Sequence, residues 1–337
     1  MDTEQSPNAP TLLASMRLGL EVFAGIALAL APFLVASVLW WSGVASVALF
    51  AVFVAVAATA TNGVRVGVAF SLLFAVVGTA AVAVDSSPVL AALLVAASAG
   101  AIALCTLYGF SGPMLIVAMF VPYLIHEPPA PLANGQEGAE YYAAVAGALL
   151  AAGAWGCLLT WLLRRHKELP ARPTPPAQRE AVLAGAIVAM VTGLITYVAI
   201  THFNSTEWVW ILLTIFVLTK PSPDLNWGQT KSRIFGTLIG VAVAASIGAL
   251  GLPPAVVTAV GVLALTAALT LRLEGRAYWL YASYMTPAVI LFDSATNNTT
   301  DIAIERLLFT VLGAIFAVGL AAAINTFVLR HDDLPQH

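Results

Sequence analysis

The chain has 337 residues, of which 60% are hydrophobic and only 9% are charged, with a formal net charge of −3. Soluble domains carry about 25% charged residues, so this composition excludes a soluble globular protein and indicates an integral membrane protein. The negative net charge also argues against a nucleic-acid partner, because such partners are bound by basic surfaces.

Twelve mostly apolar runs follow one another along the chain. Each approaches the about 20 residues that a helix needs to cross a bilayer, so the predicted fold is an all-α membrane protein with about twelve transmembrane helices. A polar tail (1–15) precedes them, a basic Pro-rich linker (164–179) divides them, and a second tail (330–337) ends the chain. The predicted spans are 16–37, 43–61, 65–84, 88–107, 109–125 and 141–163, then 180–201, 207–219, 233–250, 254–272, 277–292 and 303–329.

Basic residues concentrate on one side of these spans. Thirteen of the fourteen Lys and Arg residues lie at the ends of spans that share one side, whereas the opposite loops carry acids such as Asp85 and Glu207. Because short cytoplasmic loops retain Lys and Arg, we expect the linker and both termini to be cytoplasmic. The expected location is therefore the inner (plasma) membrane, in a multi-pass arrangement. Only Arg306 breaks the pattern.

The two sets of six spans resemble copies of each other. Three landmarks recur at separations of 168, 174 and 166 residues. Because six is an even number of spans, both copies have the same orientation, and the predicted repeats, 16–163 and 180–329, are related by an axis along the membrane normal. The landmark pairs are Arg65 with Arg233, Pro113 with Pro287, and Arg164 with Arg330.

The stretch 219–240 is the most distinctive part of the chain. Arg233 is followed by Gly236, Thr237 and Gly240, and a GxxxG pair allows two membrane helices to approach closely. If the helix begins near Arg233, its unpaired N–H groups and the guanidinium together favour an anion. The alternative is an orienting charge beside a packing motif.

This stretch is similar to the signature of the fusaric-acid-resistance family, which includes bacterial exporters of aromatic carboxylic acids. The family pattern of Arg, Gly-Thr and Gly is found here in residues 233–240, and the similarity extends over residues 180–330. In the first half, Val68 and Ala69 stand where the pattern has Gly-Thr. The resembling residues downstream are Tyr284, Thr286 and Pro287, then Arg306 and Gly313.

The resemblance implies a transporter that exports organic anions such as aromatic carboxylic acids. It also implies the roles of the matching residues. Independently of the resemblance, the positive charges of Arg65, Arg233 and Arg306 favour an anionic substrate. The substrate-binding candidates are Arg65, Arg233, Thr237, Tyr284, Thr286 and Arg306. The helix-packing candidates are Gly236, Gly240 and Gly313.

Arg306 admits two interpretations because a buried arginine in a span is costly unless it is paired or solvated. It pairs with Asp293 or Asp301 at the outer interface, or it contacts an anion on the exit side.

Enzyme signatures are absent from the sequence. The five histidines show no metal-ligand spacing with Cys105 or Cys157, and no phosphate-binding loop occurs. We therefore expect no enzyme activity, no metal and no cofactor. The expected partners are a small organic anion and the lipid bilayer, with a periplasmic adaptor or an oligomer left open. Two alternatives to export remain: a passive, channel-like anion pathway and a non-transporting membrane scaffold.

Overall fold

The computed structural model describes residues 12–132, 138–165, 168–171, 175–203, 206–218, 227–293, 299–324 and 326. These residues form twelve α-helices and one short 3-10 turn, Thr206–Trp208, and contain no strand. Each predicted span coincides with one helix, which confirms the all-α prediction. The helices are α1 Leu12–Leu39, α2 Val44–Asn62, α3 Val64–Ala83, α4 Pro88–Thr106, α5 Ser111–His126, α6 Ala139–Arg164, α7 Gln178–His202, α8 Val209–Leu218, α9 Trp227–Ala249, α10 Pro254–Leu273, α11 Tyr278–Asp293 and α12 Thr299–Ile324.

Three of the twelve helices are shorter than a membrane span requires. Within the described residues, nine helices are long and apolar enough to cross a bilayer. The others, α5, α8 and α11, have 16, 10 and 16 residues. At about 1.5 Å per residue, α8 extends only about 15 Å, half of the about 30 Å hydrocarbon core. The predicted span 207–219 is therefore a short helix.

Helix α9 begins earlier than the hydropathy pattern predicts. It starts at Trp227, six residues before Arg233. The first turns of α9 are polar. A search for apolar runs therefore finds only the later part of this helix, which is suited to lipid. Arg233 therefore lies well inside α9, beyond the first turn where backbone N–H groups lack partners. The expectation that these N–H groups contribute to an anion site at Arg233 is wrong.

The chain divides into two compact units. Unit 1 comprises Met1–Leu28 and Asn226–Val311, and unit 2 comprises Ala29–Leu225 and Leu312–His337. In unit 1, α11 packs against both α9 and α10. In unit 2, α2, α3 and α6 pack against one another, and α4 packs along α7. The predicted domain boundaries, including the linker and tails that lie partly outside the described residues, stay a prediction.

Glycines allow close approach of α9 and α11 in unit 1. A methyl group added at Gly236 would lie 2.5 Å from the Trp279 carbonyl oxygen, and one at Gly240 would lie 2.6 Å from the Thr286 Cβ. Contacts this short do not occur between real atoms of these types. The two glycines of the GxxxG motif thus lie in the contact with α11 and leave no room for a larger side chain.

Similar helix contacts occur in the two predicted repeats. Gly156 of α6 lies against Val52 of α2, and Gly313 of α12 lies against Ile211 of α8. The corresponding residues are 157 and 159 positions apart in the chain. In addition, α5 packs on α3 and α4, as α11 packs on α9 and α10. The separations of the glycine contacts are shorter than the 166 to 174 residues between the sequence landmarks, and the duplication stays a prediction.

Candidate functional site

Five of the six predicted substrate-binding residues belong to unit 1. Arg233 and Thr237 lie on α9, and Arg306 lies on α12. Tyr284 and Thr286 lie on α11. Arg65 belongs to unit 2, where it is an exposed residue in the first turn of α3.

The half-buried side chain of Arg233 is held by a phenol. Its Nη1 atom donates a hydrogen bond to the Tyr278 hydroxyl oxygen at 3.0 Å. Tyr278 is the first residue of α11, and its ring centroid lies 5.7 Å from that of Tyr281, one turn further along the same helix. The two planes are inclined by 38°. An arginine and two aromatic rings therefore meet where α9 and α11 pack together.

Two arginines contribute charge near this cluster. The Tyr281 hydroxyl interacts electrostatically with both Arg233 and Arg272, the latter an exposed residue in the last turn of α10. Tyr278 and Tyr281 lie on the same side of α11 because residues three apart share a helix face. Sequence reasoning missed Tyr278 and Tyr281. The available signal was a Tyr-x-x-Tyr pair immediately after the basic end of α10.

Other charges at these helix ends are paired with carboxylates. Arg17 and Glu21, four residues apart on α1, form an ion pair at 3.0 Å, and Arg276 contacts Glu274 at 3.1 Å. A hydrogen bond from Ser15, and secondarily the one from Arg276, lowers the pKa of the Glu274 carboxyl below its usual range. For Arg233, the side-chain hydrogen bond to the Tyr278 hydroxyl joins α9 to α11.

The remaining candidates on α9 and α11 have different surroundings. Thr237 is 4% exposed and Thr286 is 6% exposed, and the Thr286 Cβ is the atom that approaches Gly240. Tyr284, in contrast, is 43% exposed. The two threonines are therefore buried inside unit 1, whereas Tyr284 lies on an outward face of α11. The structure does not bring Tyr284 into the buried group.

Arg306 is buried, with 2% of its surface exposed, and is the eighth residue of α12. Burial of a guanidinium away from water requires compensating interactions, and such residues in membrane proteins are commonly functional. The side chains of Asp293 and Asp301, the partners considered from the sequence, lie outside the described residues. An anion contact for Arg306 stays a prediction.

Glu207 is a second buried charge, although it lies in the connection between α7 and α8. It is 5% exposed and belongs to the turn Thr206–Trp208 that leads into α8. The following Trp208 is fully buried, with its ring 5.6 Å from the imidazole of His126. The sequence signal was an acid placed directly before a wholly apolar run, where a carboxylate favours a helix N-terminus.

The described residues define a multi-pass α-helical membrane protein. The family model described as fusaric acid resistance protein-like matches residues 188–320. This region includes α9, α10, α11 and every predicted site residue except Arg65, so the match supports the family resemblance of the second half. No curated protein and no solved structure matches the chain.

Metal-binding geometry is not found in the part of the chain that the structure describes. There, no group of three His, Cys, Asp or Glu side chains is arranged to hold a metal ion. Cys157 is buried, and its sulfur accepts a hydrogen bond from the Thr59 hydroxyl at 3.4 Å. This contact suits a small residue that packs in the interior.

Proposed function

We propose that this protein exports organic anions, in particular aromatic carboxylates, from the cytoplasm. The observation that carries the proposal is the Arg233 guanidinium beside Tyr278 and Tyr281. A guanidinium is permanently charged and matches a carboxylate in a planar fork. Aromatic rings beside it offer a surface for an aromatic substrate. The family match over 188–320 is consistent with this substrate class.

The charge distribution supports access to the cluster from the cytoplasm. Arg233, Arg272 and the other basic residues are expected at the cytoplasmic ends of their helices. An anion from the cytoplasm would therefore meet the cluster before it crosses the membrane. Under this proposal the termini and the linker are also cytoplasmic.

Reconstitution provides the test. Purified protein in liposomes with benzoate on both sides, and a proton gradient across the membrane, should accumulate benzoate faster and to a higher level than protein-free liposomes, in which benzoic acid only diffuses passively. An uncoupler should abolish that accumulation. Benzoate flux that only dissipates its own gradient would instead identify a passive pathway.

A thermal-shift measurement addresses the scaffold alternative. A ligand that binds only the folded state raises the melting temperature, and the shift increases with the logarithm of the ligand concentration once that concentration exceeds Kd. We expect benzoate to do so with purified wild-type protein. A protein that shows neither benzoate stabilisation nor benzoate flux would contradict the proposed function.

A further inference from the structure

We infer that Tyr278 and Arg233 bind the substrate carboxylate jointly, with the Tyr278 hydroxyl as a second donor and the Tyr281 ring as the surface for the substrate's aromatic ring. This inference rests on the proposed function. It assigns a specificity role to two tyrosines that neither the sequence pattern nor the family match distinguishes.

The direction of the hydrogen bond supports the role of Tyr278. Arg233 Nη1–H donates to the Tyr278 oxygen at 3.0 Å, so the phenol is the acceptor in this contact. A hydroxyl that accepts one bond retains its own hydrogen for donation. A cationic donor also polarises the O–H group and strengthens the bond that it donates in turn. A carboxylate beside this pair would receive bonds from the guanidinium and from the phenol.

The second tyrosine adds selectivity for the body of the substrate. The Tyr281 ring lies 5.7 Å from that of Tyr278, a separation at which aromatic pairs interact favourably. Arg233 and Arg272 both act electrostatically on Tyr281. Aliphatic and aromatic carboxylates would meet the same charges, but only an aromatic ring would gain the ring-to-ring contact.

A simpler alternative is that the Arg233–Tyr278 bond only joins α9 to α11. The two roles predict different measurements. If the bond is only structural, its removal should lower the melting temperature. The affinities for all ligands should then change equally or not at all. A binding role would lower affinity at an unchanged melting temperature, and the loss at Tyr281 would depend on the ligand.

The test compares benzoate with cyclohexanecarboxylate, which have similar size and the same charge but differ in aromaticity. Binding of both is measured on the purified full chain. We expect Tyr278→Phe to weaken binding of both ligands roughly tenfold or more, as loss of a donor to a charged acceptor does. Tyr281→Leu should lower the preference for benzoate by about two- to tenfold, and Tyr281→Phe should retain it. Tyr108→Phe, at an exposed tyrosine of unit 2, is the matched control and should change neither affinity.

The outcomes separate the inference from the proposed function. If wild-type protein transports benzoate but Tyr278→Phe and Tyr281→Leu bind both ligands like wild type, the inference fails and the proposed function stands. If Tyr278→Phe lowers the melting temperature and leaves the affinities unchanged, the bond is a structural link and the inference again fails. Wild-type protein that neither binds nor transports benzoate would overturn both.

Discussion

The stretches around Arg65 and Arg233 occupy equivalent positions in the predicted repeats but have different environments. Arg65 lies in the first turn of α3 and is exposed, whereas Arg233 lies well inside α9 and donates to Tyr278. Gly67, two residues after Arg65, lies against Thr59 and against Cys157 Sγ, whereas Gly236 lies against α11. A shared sequence landmark is thus an exposed charge in one copy and part of an aromatic cluster in the other.

Helix boundaries explain part of this difference. Gly63 has a φ of 91° and interrupts the chain immediately before α3, so Arg65 cannot lie deeper in that helix. Glycine adopts this backbone conformation without the strain that other residues incur. No such break occurs between Trp227 and Arg233, and α9 continues through its polar first turns. The arginine with a defined partner is therefore the better candidate for substrate binding.

Topology labelling gives the largest expected effect because its outcome is all-or-none. Single cysteines are placed at Thr174 and at Gly135 in a background that lacks Cys105 and Cys157. A membrane-impermeant reagent applied to intact cells should label position 135 and spare position 174, because basic segments stay cytoplasmic. Equal labelling of both from outside would refute the twelve-helix topology and the shared side of Arg65 and Arg233.

Substitution of Arg233 tests the functional side of the comparison. Arg233→Gln should weaken benzoate binding roughly ten- to hundredfold, because a charge-assisted contact contributes about 1.5–3 kcal/mol. Arg233→Lys retains the charge but loses the planar fork, so its affinity should be intermediate. Binding is measured together with the melting temperature. Normal folding and unchanged transport in Arg233→Gln would mean that this arginine only orients the chain.

Glycine substitutions test the packing around each arginine. Gly236→Ala places a methyl group 2.5 Å from a carbonyl oxygen and should lower the free energy of unfolding by about 1–3 kcal/mol. It should also weaken benzoate binding, since it displaces the helix that carries Tyr278. Gly67→Ala also clashes, with Thr59, and should affect stability without affecting binding.

The matched control for these variants is Gly147→Ala on α6. Apart from the neighbouring backbone of α6 itself, no atom lies within 4 Å of a methyl group at this position. The substitution should be neutral or stabilising by up to about 1 kcal/mol, because alanine favours a helix more than glycine does. A Gly236→Ala protein as stable as Gly147→Ala would show that the close contact with α11 does not constrain α9.

Arg65→Gln has the smallest expected effect. Interactions of exposed charges contribute about 0–1 kcal/mol, so benzoate affinity should fall by at most about fivefold. A loss as large as that of Arg233→Gln, measured under the same conditions, would contradict the distinction between the two copies.

The sequence alone determined the class of protein and the positions of its helices. In a bilayer every backbone polar group must be satisfied within the chain, so an apolar run of sufficient length must be helical. This requirement applies to each segment separately, so it can be read from the sequence of that segment. All twelve apolar runs are helices in the structure. The GxxxG spacing also identified a helix face, because residues four apart lie on the same side of a helix.

Only the tertiary structure decided which side chains meet. The Arg233–Tyr278 bond joins residues 45 positions apart, and it depends on how α9 and α11 are rotated against each other. The same rotation exposes Tyr284 while it buries Thr286. Burial of Glu207 likewise depends on elements that pack around a ten-residue helix, α8. Hydropathy is a property of each segment separately, whereas helix rotation and crossing result from side-chain packing between distant segments, which no single segment encodes.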